Sequence, residues 1–186
     1  MTTRYLIDTN VLIPYFSRDF FLELGKRGLP IHWSLSIEAE FREVWTRLYP
    51  EVAANGPKLL LLMRTAVPDW RAPESRKVLK ATKLPDAKDR HVLAAAVGVG
   101  AAVIVTNNLK DFPSTVLKLH GVEARTPGDV LCTLFDNDPD GFIAAAAVMR
   151  ARMRNPAMTP KEWLAGVEAG GLSRVATKLG VVSDRL

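Results

Sequence analysis

The chain has 186 residues, of which 48% are hydrophobic and 24% are charged, and its net charge is +5. This composition excludes a disordered or fibrous chain, and the length is sufficient for one self-supporting core. Cys132 is the only cysteine, which excludes an intrachain disulfide framework and a multi-cysteine zinc site.

No segment of the sequence is typical of a membrane anchor. The longest weakly polar run covers residues 92–105, which is shorter than the roughly 20 apolar residues that a membrane helix needs. Asp8 interrupts the region where a secretory signal would be apolar. We therefore expect a cytoplasmic protein that does not contact a membrane.

Short apolar runs, typical of strands, alternate with apolar residues at helical spacing. The predicted elements are a strand at residues 5–7, a helix at 19–26, a strand at 31–33, a helix from Ser36 to Pro50, a helix at 57–67, a helix opened by Asp86 to Asp89, and strands at 102–105 and 122–124.

This alternation predicts an α/β fold with a central parallel sheet flanked by helices. From about Thr126 onward the pattern is helical only. We expect a core domain over residues 1–130 and a C-terminal helical extension over residues 131–186.

Four acidic residues are predicted near one edge of this sheet. Asp8 follows the first strand, and Asp111 lies six residues beyond the strand at 102–105. Asp89 lies in the first turn of its helix, and Glu40 borders the apolar stripe of another. Ligands of open α/β sheets bind outside the carboxyl ends of the strands, so these acids point to a site there.

Each acid also has a purely structural explanation. Aspartate is common in turns, which would explain Asp8 and Asp111. Asp86 and Asp89 have the spacing of a helix cap and its third-position acid. Glu40 could be an ordinary surface acid. These explanations do not account for several acids at a single edge.

A group of carboxylates is suited to a hard cation. Mg²⁺, and alternatively Mn²⁺, prefers oxygen ligands, and such an ion can lower the pKa of a bound water. Zinc is disfavoured because His32, His91 and His120 form no pair at ligand spacing.

Four segments carry a family resemblance. They are Tyr-Leu-Ile-Asp-Thr-Asn-Val-Leu at 5–12, Glu40 in a helix, Asp-Arg-His-Val-Leu-Ala-Ala-Ala at 89–96, and Val-Thr-Asn-Asn-Leu-Lys-Asp-Phe at 105–112. In this order they resemble the PIN-domain nuclease family, and within it the VapC-type toxins of bacterial toxin–antitoxin pairs. The resemblance covers about residues 4–130.

The resemblance implies a PIN-like fold and a metal-dependent ribonuclease. It implies that a cation is held by Asp8, Glu40, Asp89 and Asp111. Thr106 and Asn108 match positions that hold the loop of the last acid. It further implies an RNA substrate and a small antitoxin partner, and it allows a homodimer.

Several assignments stay open at this stage. Glu38 lies only two residues from Glu40, and spacing does not choose between them. Asp86 is interpreted as the helix cap. His91 is expected to be a surface or otherwise satisfied residue rather than a general base.

The positive charge is concentrated in one segment. Residues 58–90 hold nine Lys or Arg against four Asp or Glu, a surplus equal to the net charge of the whole chain. Such a segment suits RNA or is simply a solvated helix face. Lys88 and Arg90 flank Asp89 and are candidate phosphate contacts.

Three other functions compete with a toxin nuclease. An aspartyl phosphatase of haloacid-dehalogenase type is disfavoured because Asn10 stands where its second Asp would be. A housekeeping RNA-processing nuclease and a non-catalytic PIN-like binding module both stay open.

Overall fold

The computed structural model describes residues 2–154 and 156–186. Met1 belongs to the predicted core domain and Asn155 to the predicted extension, and both lie outside the described residues. The described chain contains a four-stranded sheet in the order β2-β1-β3-β4, and every neighbouring pair is parallel. The predicted parallel α/β fold is therefore confirmed. The strands are β1 Tyr5–Ile7, β2 Ile31–His32, β3 Val103–Val105 and β4 Glu123–Arg125.

Helices surround the sheet and continue to the C-terminus. Within the described residues they are α1 Thr9–Leu12, α2 Tyr15–Lys26, α3 Leu35–Leu48, α4 Asn55–Ala66, α5 Arg76–Ala81, α6 Arg90–Val99, α7 Ser114–Leu117, α8 Pro127–Asn137, α9 Pro139–Ala151, α10 Pro160–Ala169 and α11 Ser173–Gly180. None of these helices is long and apolar enough to cross a membrane.

A capped turn explains why α6 begins later than the sequence pattern predicts. The residues before α6 form a 3₁₀ turn, Ala87–Asp89, in which the Asp86 carboxylate accepts a hydrogen bond from Lys88 N at 2.8 Å. Asp86 is thus the cap of this turn, and Asp89 lies just before α6 rather than inside it. The six-residue helix α5 was not predicted, because it is too short to show a helical period.

The parallel strands bring Asp8 and Thr106 side by side. Asp8 N donates to Val105 O at 3.1 Å, and Thr106 N donates to Arg125 O at 3.0 Å. Both residues directly follow buried strands, so they lie at the carboxyl edge of the sheet. This edge carries the candidate site.

The C-terminal helices pack against the same core. The rings of Phe20 and Phe142 stack with their centroids 5.3 Å apart. The ring of the fully buried Trp163 packs beside Phe20, with the two centroids 5.9 Å apart. The predicted boundary after residue 130 falls inside α8, where Val130 and Leu131 are fully buried.

Gly98 lets the connector before α5 lie against α6, and this provides a stability test. A Cβ at Gly98 would stand 1.8 Å from the backbone oxygen of Pro73, whereas a Cβ at Gly128 in α8 meets nothing within 4 Å. We expect Gly98→Ala to lower the free energy of unfolding by about 2 kcal/mol or more through overpacking. Gly128→Ala, the matched control, should raise it by up to about 1 kcal/mol through helix propensity. Urea denaturation of both variants measures this, and equal effects would contradict the close approach at Pro73.

Candidate active site

Among Asp8, Glu40, Asp89 and Asp111, Asp8 is the most buried, with 6% of its surface exposed. Its Oδ1 accepts from Thr9 N at 2.7 Å, and its Oδ2 accepts from Asn10 Nδ2 at 2.6 Å and from Thr106 Oγ at 2.7 Å. Burial raises the pKa of Asp8 to about 6, and the charge of Glu40 adds to this rise against the opposing hydrogen bonds. The carboxylate is held rigidly but is costly to ionise.

Thr106 links Asp8 to the loop that carries Asp111. Its hydroxyl accepts from Asn10 Nδ2 at 2.9 Å and from Asn108 N at 3.0 Å. The side-chain Nδ2 of Asn108 in turn donates to Asp111 Oδ2. A chain of hydrogen bonds thus runs from Asp8 through the polar loop to Asp111.

Glu38 and Glu40 have different environments. The Glu38 carboxylate is fully buried and accepts from Trp33 Nε1 at 3.1 Å and from Arg64 Nε at 2.8 Å. Glu40 instead accepts from Thr9 Oγ at 2.7 Å, next to Asp8. Glu38 therefore forms a structural ion pair with Arg64, whereas Glu40 lies beside the other acids.

Asp89 completes the group from the start of α6. Burial raises the pKa of Asp89 to about 6, and the charges of Asp8, Asp86, Asp111 and Glu40 raise it further. Its Oδ2 is buried and has no hydrogen-bond partner within the described chain. The four predicted acids are close enough to repel one another, and one carboxylate oxygen lacks a donor.

Sequence reasoning missed His91 as a neighbour of Glu40. His91 Nε2 lies 3.5 Å from Glu40 Oε2, which is an ion-pair separation, and Nδ1 lies 2.6 Å from the backbone oxygen of Lys88. Burial opposes protonation, but the contacts with Glu40 and with the Lys88 carbonyl outweigh it and raise the pKa of His91. The sequence predicts a surface or otherwise satisfied residue at position 91, and the structure identifies its partners as Glu40 and the Lys88 carbonyl.

The two basic candidates behave differently. Arg90 donates through Nε to Ala87 O at 3.0 Å and through Nη1 to Leu79 O at 3.5 Å, so its guanidinium lies against the backbone. Lys88 is exposed, and its charge helps to hold the pKa of Glu40 below its usual range after the larger effect of His91. Of the pair, Lys88 is the one whose charge acts on Glu40.

The donor set fits a hydrated hard cation. Across residues 2–154 and 156–186, no three Asp, Glu, His or Cys side chains stand close enough to enclose a metal ion by themselves. Mg²⁺, however, usually keeps several waters and takes only one or two carboxylates. The partnerless Asp89 Oδ2 and the mutual repulsion of the acids are what such an ion would relieve.

Replacement of Asp89 tests that repulsion. A raised pKa favours folding of the protonated form, so this stability is complete below pH 4 and is lost as pH rises through about 6. The asparagine of the variant Asp89→Asn cannot ionise, so the variant keeps this stability at pH 8. We therefore expect the metal-free variant to have a free energy of unfolding about 1–2 kcal/mol higher than the parent chain at pH 8, a value reduced for the partial exposure of the side chain.

Denaturation of both proteins in chelator at pH 4 and pH 8 provides the measurement. The control is Asp138→Asn, since Asp138 is an exposed cap of α9 that accepts from Gly141 N at 3.0 Å, and it should show no gain at pH 8. A variant of Asp89 that is less stable at pH 8 would show that the acids do not repel one another.

Comparisons with known proteins identify the family of the chain. A family model described as PIN domain matches residues 4–110, and a model described as VapC50 C-terminal domain matches residues 127–181. Over 77 residues the chain is 43% identical to "Putative ribonuclease VapC50" of Mycobacterium tuberculosis, which is 41% of this chain and 46% of that protein. The match thus spans less than half of the relative's length, and no solved structure matches significantly. Because the first family model covers more than half of the residues, the chain belongs to the PIN domain family.

Proposed function

We propose that the chain is a metal-dependent endoribonuclease, with the toxin of a toxin–antitoxin pair as its biological role. The observation that supports this best is the group of Asp8, Glu40, Asp89 and Asp111 at one sheet edge, with Asp89 Oδ2 left without a donor in the described structure. Membership of the PIN domain family and the similarity to a protein described as a ribonuclease support the same activity.

The proposed cation is Mg²⁺ or Mn²⁺, held by the group of Asp8, Glu40, Asp89 and Asp111 in part through bound waters. When bound, such an ion activates water and stabilises charge on the scissile phosphate. Asn10, Thr9 and Thr106 hold the carboxylates of Asp8 and Glu40 in fixed orientations by hydrogen bonds of 2.6–2.7 Å. Such preorganisation removes the need to reorder these groups when substrate binds.

Two raised pKa values set the pH range of this site. Because the pKa of both Asp8 and Asp89 is raised to about 6, both carboxylates are ionised above about pH 7. Cation binding and cleavage should therefore weaken as pH falls through 6.

The toxin role and the housekeeping role share this chemistry and differ in their partner. We propose a small antitoxin protein as the partner, cytoplasmic RNA as the substrate, and residues 1–130 and 131–186 as the catalytic and accessory parts of one chain. A neighbouring small gene whose product binds this protein and suppresses cleavage supports the toxin. A chain that cleaves RNA and has no such inhibitor supports the processing enzyme.

The two glutamates of α3 provide the sharpest test of the activity. We expect Glu40→Gln to reduce Mg²⁺- or Mn²⁺-dependent RNA cleavage at least 100-fold with little change in stability, because Glu40 faces the acids. Glu38→Gln should lower the free energy of unfolding by about 1–3 kcal/mol, because the fully buried Glu38 carboxylate loses its ion pair with Arg64.

Cleavage of a labelled RNA, normalised to the folded fraction, separates the two effects. Glu38→Gln should keep its activity per folded molecule, so it serves as the matched control. Undiminished cleavage by Glu40→Gln, or cleavage that persists in chelator, would contradict the proposed site.

Lys88 and Arg90 test how RNA is held. Lys88→Gln should weaken RNA binding and lower the slope of log affinity against log salt by about 1, because one phosphate contact is lost. Arg90→Gln, the neighbouring control, should leave that slope unchanged, since its guanidinium contacts backbone carbonyls. Filter binding at several salt concentrations measures both slopes, and equal slopes for Lys88→Gln and the parent would remove Lys88 from the RNA contact.

A further inference from the structure

Residues 75–88, which comprise α5 and the connector toward α6, form a basic arm. The arm holds five Lys or Arg and one acid, Asp86, so it carries a net charge of +4 out of the +5 of the whole chain. All five basic residues are exposed: Arg76, Lys77, Lys80, Lys83 and Lys88. The arm is therefore a strongly charged surface, and the proposed catalytic group accounts for none of its first four cations.

The fold places one end of the basic arm beside the acids. Ser75 N donates to Ala94 O at 2.9 Å, and Arg90 Nη1 donates to Leu79 O at 3.5 Å. These contacts show that α5 runs antiparallel to α6. The C-terminal end of α5 therefore lies at the end of α6 that begins directly after Asp89.

The cations of the basic arm are not compensated by the protein itself. Arg76 and Lys80 are four positions apart, and Lys77 and Lys80 are three apart, so both pairs share a face of α5 and repel one another. In the part of the chain that the structure describes, none of the five cations lies within ion-pair distance of a carboxylate. Val78 and Thr82 are buried, so the arm packs on one side and presents its charges on the other. An anionic partner would relieve this repulsion.

We propose that the basic arm docks the RNA backbone and holds the part of the substrate that adjoins the acids. The inference rests on the proposed ribonuclease and adds where the rest of its substrate lies. A linear polyanion matches cations that follow α5 and its connector and end at Lys88, next to Asp89.

The chemistry of the arm also predicts what it does not read. Four of its five cations are lysines, whose ammonium groups act as point charges on flexible stems. Such groups contact phosphates, and phosphate contacts give affinity and position but carry no sequence information. The arm therefore supplies affinity for RNA of any sequence.

The triple variant Lys77→Gln, Lys80→Gln, Lys83→Gln tests this inference in the full chain. We expect it to bind a labelled oligouridine about 10-fold or more weakly at low salt. The slope of log affinity against log salt should fall by about 2, because each phosphate contact to a single strand contributes about 0.7. Oligocytidine should show the same losses. Fluorescence anisotropy in chelator, where RNA is not cut, measures both quantities.

Two matched variants control for net charge and for side-chain shape. Lys161→Gln, Arg174→Gln, Lys178→Gln removes the same three charges from α10 and α11 and should bind RNA like the parent chain. Lys77→Arg, Lys80→Arg, Lys83→Arg keeps the charges of the basic arm and should also keep the affinity and the slope. The three replaced lysines are exposed, so their substitution leaves the core unchanged.

The outcomes separate this inference from the proposed function. A Gln variant of the arm that retains the slope of the parent would overturn the inference and assign the arm to solvated surface, while the nuclease would stand. Equal losses in the α10 and α11 variant, or unequal losses for the two oligonucleotides, would also overturn it. A parent chain that binds RNA through the arm and cleaves none with Mg²⁺ or Mn²⁺ would instead refute the nuclease and keep the arm as the RNA contact of a binding module.

Discussion

The burial of one carboxylate, that of Asp8, determines how the surrounding loops are arranged. A carboxylate that is 6% exposed needs several donors, and it receives them from Thr9 N, Asn10 Nδ2 and Thr106 Oγ. These donors lie on α1 and on the loop after β3. One buried charge therefore ties the end of the first strand to residues almost a hundred positions away in the sequence.

The same hydrogen bonds connect structure to chemistry. Thr9 uses its backbone N–H for Asp8 and its hydroxyl for Glu40. Asn10 uses its Nδ2 for Asp8 and its Oδ1 to accept from Asn107 N at 2.9 Å. The three residues that follow β1 thus orient most of the site, and they do so with polar atoms that would otherwise be left unsatisfied beside a buried charge.

The sequence was sufficient for those parts of the fold and site that depend on local pattern. The positions of Asp8 and Asp111 follow from apolar strands and the polar residues after them. The choice between Glu38 and Glu40 did not follow, because the partner of Glu38 is Arg64, 26 residues away on another helix. His91 was missed for a related reason: its distance from Glu40 depends on how α3 and α6 pack and on a 3₁₀ turn before α6.

The C-terminal helices show the same limit. Their helical pattern was readable, but their attachment was not, because it uses pairs such as Phe20 with Phe142 and Arg152 with Glu23 that join distant segments. Residues matched by two separate family models therefore contribute to one hydrophobic core. The boundary predicted after residue 130, where the pattern becomes helical only, lies within α8.

The charged site has an energetic cost that a bound cation would reduce. The pKa of Asp8 is raised from 3.8 to about 6, so ionisation of this one group above pH 7 removes about 3 kcal/mol of stability relative to its protonated form. A cation present at a hundredfold excess over its dissociation constant stabilises the folded state by about 2.7 kcal/mol. A bound cation would act against this cost, by an amount that depends on its concentration relative to its dissociation constant. Acids whose ionisation is unfavourable in the fold are the physical reason to propose metal binding for them, beside their roles in turns and helix caps.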